Sequence, residues 1–176
     1  MNNPIVMKKI LVIAMLLAGF TAGAQSFEST FQQTKTLKLT GKKILSEGTI
    51  SYTAPDNLAM IYSKPDGDYF IVDGPLLRFD LRGISLDVNT DNNKTVRMQR
   101  NAILYGIAGK YGDIAKEMDA DCTVSDVKGG KHVVIKMRKP ALKGYTGMEL
   151  DYNAKGRITR MVLEEVGGIS TEYLVK

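Results

Sequence analysis

LAMIYSKPDGDYFIVDGPLLRFDL, residues 58–81, is the stretch that decides the fold. Three short apolar runs, Leu58 to Ser63, Tyr69 to Val72 and Leu76 to Leu81, are separated by Lys64-Pro65-Asp66-Gly67 and Asp73-Gly74-Pro75. Proline presets one backbone angle and glycine tolerates the left-handed region, so both separators are tight turns. Short strands in succession, joined by such turns, form an antiparallel meander.

Upstream, Ile44, Ile50 and Tyr52 share one parity while Glu47, Thr49, Ser51 and Thr53 share the other, which is strand periodicity ended by the turn Ala54-Pro55-Asp56-Asn57. Before it, Ser26 is suited to cap a helix, Glu28 suits a first turn, and Phe27 and Phe31 stand one helical turn apart; this spacing predicts a short helix to about Leu37. Downstream, Ile84 to Val88 continues the meander. A second strand group follows: Cys122 to Val127 and Lys131 to Arg138 around Gly129-Gly130, the run through Met148, Leu150 and Tyr152, then Arg157 to Val166 and Ile169 to Val175. Val133, Ile135 and Met137 oppose His132, Lys136 and Arg138, so one face is apolar and the other wet.

Between the two groups, Lys94 to Lys110 has helical periodicity, with Val96, Ile103 and Ile107 on one stripe, interrupted by Arg100, and Met98, Ala102 and Tyr105 on another. Ile114 to Met118 adds a further helical turn. About ten strands with a single apolar face need cover, and two helical segments are meagre cover. The sheet therefore either curls upon itself or leaves a concave apolar surface for a ligand, with the helices as a partial lid.

The 176 residues include one Cys, one His and no Trp. A lone Cys122 makes no internal disulfide and no cysteine-rich zinc site, and a lone His132 provides no histidine pair for a metal. A hydrolytic apparatus would have to be built on His132, which alternates with core positions on the parity of Lys136 and Arg138 and reads as a surface residue. Asp119 and Asp121 read as a solvated strand entrance, Glu164 and Glu165 point to opposite faces, and Cys122 reads as a small core residue. The expectation is no catalysis, no metal and no cofactor. Methionines at 60, 98, 118, 137, 148 and 161 adapt to irregular apolar ligands as readily as they fill cores.

Lys8-Lys9, the apolar run Ile10 to Phe20 and Ala22-Gly23-Ala24 follow the order of a secretory signal peptide cleaved after Ala24, too short to span a bilayer. Residues 1–24 are thus a signal peptide and 25–176 one domain, expected in the periplasm. Losing Lys8 and Lys9 reduces the net charge from +5 to +3, and the remaining basic residues are interspersed with acidic ones, which argues against nucleic-acid binding.

Phe27-x3-Phe31-Gln32-Gln33, then Gly48-x3-Tyr52-x2-Pro55-x2-Leu58-x3-Tyr62-x2-Pro65, then Val72-Asp73-Gly74-x2-Leu77 resembles the periplasmic lipoprotein carrier family, called LolA-like, over residues 27 to 80. The resemblance implies an α+β, mostly β fold, an incomplete antiparallel β-barrel with a helical lid. It also implies transport of acylated lipoproteins from the inner to the outer membrane, with an inner-membrane release complex and an outer-membrane receptor or membrane as partners. The chain departs from the family at Ala54, where an Arg is associated with holding the lid shut, and at Leu58, Ala59 and Met60. Another amphiphile is therefore the alternative cargo, and a lipid-sensing or regulatory module of the same fold is the alternative function.

Leu58, Met60, Tyr62, Phe70, Val72, Leu77 and Phe79 are expected on the concave face, as ligand contacts or as ordinary core, with Ala59 and Ile61 as the other parity at the first strand. Phe27, Phe31, Met98, Ile103 and Ile107 are expected on the lid.

Overall fold

A computed structural model describes residues 26–139 and 142–176. The proposed signal peptide lies outside the described residues. Eleven strands form one antiparallel sheet: β1 (Phe27–Leu37), β2 (Lys42–Thr53), β3 (Asn57–Lys64), β4 (Asp66–Asp73), β5 (Leu76–Leu81) and β6 (Ile84–Asn89), then β7 (Ala120–Val127), β8 (Gly130–Met137), β9 (Tyr145–Asn153), β10 (Ile158–Glu165) and β11 (Ile169–Val175). Between β6 and β7 lie two helices, α1 (Lys94–Ile107) and α2 (Tyr111–Glu117).

The spatial order is β6-β5-β4-β3-β2-β1-β11-β10-β9-β8-β7. Each strand group is a meander of sequential neighbours, and the groups meet only at β1 and β11, where Phe31 pairs with Val175 and Leu37 with Ile169. The outermost strands, β6 and β7, do not pair with each other, so the barrel is open. This is the incomplete barrel with a helical lid that the sequence led us to expect.

The expected N-terminal helix is instead β1. Phe27 and Phe31 are four apart, a spacing that fits one turn of helix and equally one face of a strand. Thr30, Thr34 and Thr36 favour the strand, and the unpaired flanks of β2 and β11 supply hydrogen-bond partners along its length. Phe27 and Phe31 therefore belong to the sheet and not to a helical lid. Phe31 is buried with its ring edge-on to Tyr62 at 5.0 Å, and Phe27 tilts against Tyr52 at 6.0 Å.

Cys122 is also corrected. Its parity matches Ile135 across the β7–β8 ladder, but β7 is an edge strand that no element covers there, and the thiol is exposed. The β7–β8 turn is Lys128-Gly129, with Gly130 already in β8. A side chain at Gly130 would collide with the Tyr152 carbonyl, its Cβ falling 1.7 Å from the oxygen.

The core is one cluster between the concave face and the helices. It includes Ile50, Tyr52, Leu58 and Met60 from the first strand group and Val133, Ile135, Met148 and Leu150 from the second. Burying each aliphatic side chain contributes on the order of 1.5–3 kcal/mol.

Candidate functional site

The lid begins with Asn93, whose side chain accepts from the Val96 N–H at 3.1 Å and caps α1. The helix buries Ala102, Ile103, Leu104 and Ile107. It packs against the second strand group at Gly106, where an added Cβ would lie 3.2 Å from Met161 Sδ and 3.3 Å from Leu150 Cδ2. The Tyr152 hydroxyl donates to the Gly106 carbonyl at 2.7 Å. Gly109, at φ +73, ends the helix in the left-handed region before α2 begins.

Arg100 does more than interrupt an apolar stripe. It is buried, and its guanidinium donates to the Gly74 carbonyl between β4 and β5 and to Asn101 Oδ1 at 2.6 Å. Asn101 in turn donates to Glu117 of α2 at 2.9 Å. Arg100 Nε is buried with no hydrogen-bond partner among the described residues. One polar chain thus ties the first strand group, α1 and α2 together.

The concave-face residues expected from sequence come together on β3, β4 and β5. Leu58, Met60 and Tyr62 point inward while Ile61 is exposed, which decides the parity. Phe70, Val72 and Leu77 are buried, and Phe79 is half-buried with its ring stacked on Phe70 at 6.4 Å. Ile103 and Ile107 of α1 belong to the same buried cluster.

Open apolar volume lies on the other flank of α1. A pocket of about 340 Å³ is bounded by Thr95, Met98 and Gln99 of α1, Met118 after α2, Met137 at the end of β8, and Leu142, Lys143, Gly144 and Tyr145 leading into β9. Of the expected lid and concave-face residues, Met98 alone borders it. Met118 and Met137 stood out in sequence only as methionines, and their convergence needed the fold; Leu142 and Tyr145 carried no signal beforehand. A second cleft of about 490 Å³ at the far end of the lid is lined by Gly109, Tyr111, Lys131, Tyr152 and turn backbone, and is more polar.

Arg100 is the one charged side chain among the described buried residues. Tyr62 donates to Gln33 Oε1 at 2.7 Å, and burial pushes its phenol up to about 12. Burial likewise raises Tyr145 and Tyr173, with Glu165 adding to both. Charges gather on the opposite face, where His132 Nδ1 meets Asp151 at 2.5 Å and Arg160 reaches Glu172, Glu149 and Asp151. Hydrogen bonds to those carboxylates outweigh partial burial and hold Arg160 above its usual value. No metal-binding cluster exists among the described residues, and no helix among them is long and apolar enough to cross a membrane.

An open antiparallel half-barrel with a helical lid beside an apolar pocket is a binding scaffold. No family model and no curated protein matches the chain. Among solved structures it is similar to a LolA superfamily protein from Nitrosomonas europaea (11% identity, covering 88% of this chain and 85% of that chain, TM-score 0.40). It is also similar to a putative outer membrane lipoprotein-sorting protein domain from Vibrio parahaemolyticus (12% identity, 94% and 89% covered, TM-score 0.40). A third similar structure is the MucA/MucB complex of Pseudomonas aeruginosa (15% identity, 85% and 50% covered, TM-score 0.44).

Proposed function

We propose that this protein is a periplasmic carrier that shelters the acyl part of a lipoprotein or another amphiphile and passes it from the inner to the outer membrane. The observation that carries this reading is the methionine-lined pocket beside α1. Its walls are apolar and deformable, and Lys143, Gln99 and Thr95 place polar groups among them. The motif resemblance over residues 27 to 80 supports the same reading.

The pocket's size constrains the cycle. At roughly 30 Å³ for each water-sized group, 340 Å³ holds on the order of ten methylenes. One short acyl chain matches that volume, and longer or multiple chains require α1 to move away from Met137 and the segment 142–145. Each buried methylene contributes about 0.8 kcal/mol, so a loaded chain leaves into water slowly and handover is direct.

The test is mass spectrometry of molecules retained by the protein after gentle purification from its host. Acylated cargo is the expected result. Absence of cargo, together with normal outer-membrane lipoprotein sorting after depletion, removes the carrier reading and leaves the lipid-sensing module.

A further inference from the structure

Among the exposed large apolar side chains of the described residues, two leucines stand out as almost wholly exposed, Leu39 at 94% and Leu142 at 92%, ahead of Leu45 at 71% and Ile84 at 69%. They are far apart in sequence. Leu39 sits in the β1–β2 turn and Leu142 in the β8–β9 loop, and the alternation of strand directions from β1 through β11, β10 and β9 to β8 brings both to the same end of the sheet. Backbone hydrogen bonds make that end continuous. Lys38 N–H donates to the Gly168 carbonyl at 2.8 Å, linking the β1–β2 turn to the β10–β11 turn, and Val166 N–H donates to the Gly144 carbonyl at 3.0 Å, linking that turn to the β8–β9 loop. Val166, between them, is itself an exposed apolar residue.

The charges around these side chains have one net sign. Lys42 and Lys43 flank Leu39, while Lys139 and Lys143 flank Leu142, and all four are exposed. Of the acidic groups close by, Glu164 pairs with Lys38, Asp119 and Asp121 share Arg138, and Glu165 accepts from the Thr171 hydroxyl at 3.4 Å, so the four lysines outnumber the acidic charge left over.

We propose that this end of the sheet is a membrane-docking surface, in which Leu39 and Leu142 enter the interfacial region of a bilayer while Lys42, Lys43, Lys139 and Lys143 meet anionic lipid headgroups. Exposed apolar side chains carried at loop tips with lysines beside them suit that boundary, because the apolar part leaves water while the ammonium groups stay in the headgroup layer. A soluble protein partner would suit the leucines without requiring four exposed lysines that join no ion pair among the described residues.

Leu142 and Lys143 also border the methionine-lined pocket. If the carrier reading holds, docking brings the pocket's edge against the bilayer, so an acyl chain crosses no bulk water. The docking surface itself rests on exposure and charge, and stands or falls apart from cargo binding.

The experiment is flotation of the protein, in the form its host produces, with phosphatidylglycerol-containing vesicles and with pure phosphatidylcholine vesicles. All variants share one N-terminus, so any contribution from it is common to them. Flotation with the anionic vesicles is expected, weakened by salt. Two independent pairs, Leu39→Asp with Leu142→Asp and Lys42→Glu with Lys43→Glu, are each expected to reduce it on the order of tenfold or more. Val127→Asp, at an exposed position on the opposite end of the sheet, is the control and is expected to float like the parent. No flotation, equal flotation with neutral vesicles, or an equal loss in Val127→Asp would overturn the proposal.

Discussion

Arg100, midway along α1, donates its guanidinium to the main-chain carbonyl of Gly74 between β4 and β5. A buried cation held by neutral acceptors is costly to desolvate and is retained only where its hydrogen bonds hold elements together. The tie between lid and sheet therefore runs from the helix, through Arg100.

Arg100→Ala is expected to lower stability by roughly 1.5–3 kcal/mol, the range for hydrogen bonds to charged groups. Faster amide exchange should be confined to α1, α2 and the Gly74 turn. Hydrogen exchange by mass spectrometry reads this directly, and unchanged protection of α1 would show that the helix is held by its apolar face alone.

Gly106 limits how large a side chain α1 can carry against β9 and β10. Gly106→Leu brings its Cβ to 3.2 Å from Met161 Sδ and 3.3 Å from Leu150 Cδ2, closer than ordinary contact, and is expected to cost about 1–3 kcal/mol through overpacking, raising the helix from the sheet. Chemical denaturation measures the loss. Stability equal to the parent would mean that the neighbouring methionine yields without cost.

Met98→Trp is expected to occupy the pocket and to reduce binding of a fluorescent fatty acid tenfold or more, with little change in Tm. The measurement is a fluorescence titration at fixed protein. Undiminished binding would place the ligand elsewhere, and the cleft at Tyr111 and Tyr152 would be the next site to test.

The buried phenols set an alkaline limit on stability. Burial pushes the Tyr62 phenol up to about 12 from an ordinary value of 10.0, and raises Tyr145 and Tyr173 too. Because the folded values are raised, this contribution is fully present below pH 10 and is lost as pH rises through the folded values, since the unfolded chain ionises first. Thermal midpoints measured upward from pH 9 should fall beyond about pH 10, and less steeply in Tyr62→Phe. A fall in Tyr62→Phe as steep as the parent's would remove Tyr62 from the cause.

Much of the architecture was legible because turns and parity are local. Pro65 and Gly74 mark turns by their own chemistry, and the Val133/Ile135 and Met148/Leu150 alternations fix a buried face. β1 was not legible: along its inner parity only Phe27, Phe31 and the terminal Leu37 are apolar, with Ser29, Gln33 and Lys35 between them, and the four-residue interval of the phenylalanines fits both periods. Cys122 was misjudged because parity reports which face a residue occupies, and whether that face is covered depends on strand order. The pocket was least legible, since Met98, Met118, Met137 and Tyr145 converge from separate elements and share no sequence interval.

The join between β1 and β11 has a kinetic consequence. The two strand groups touch along one ladder in the sheet, and Phe31 finds Val175 only after nearly all of the intervening chain has been enclosed. Closing so long a loop is an entropic step that local hairpins cannot take on their own, so folding should be slow relative to hairpin formation. Neither strand group can complete the sheet until β11, the last strand in the sequence, has taken its place beside β1.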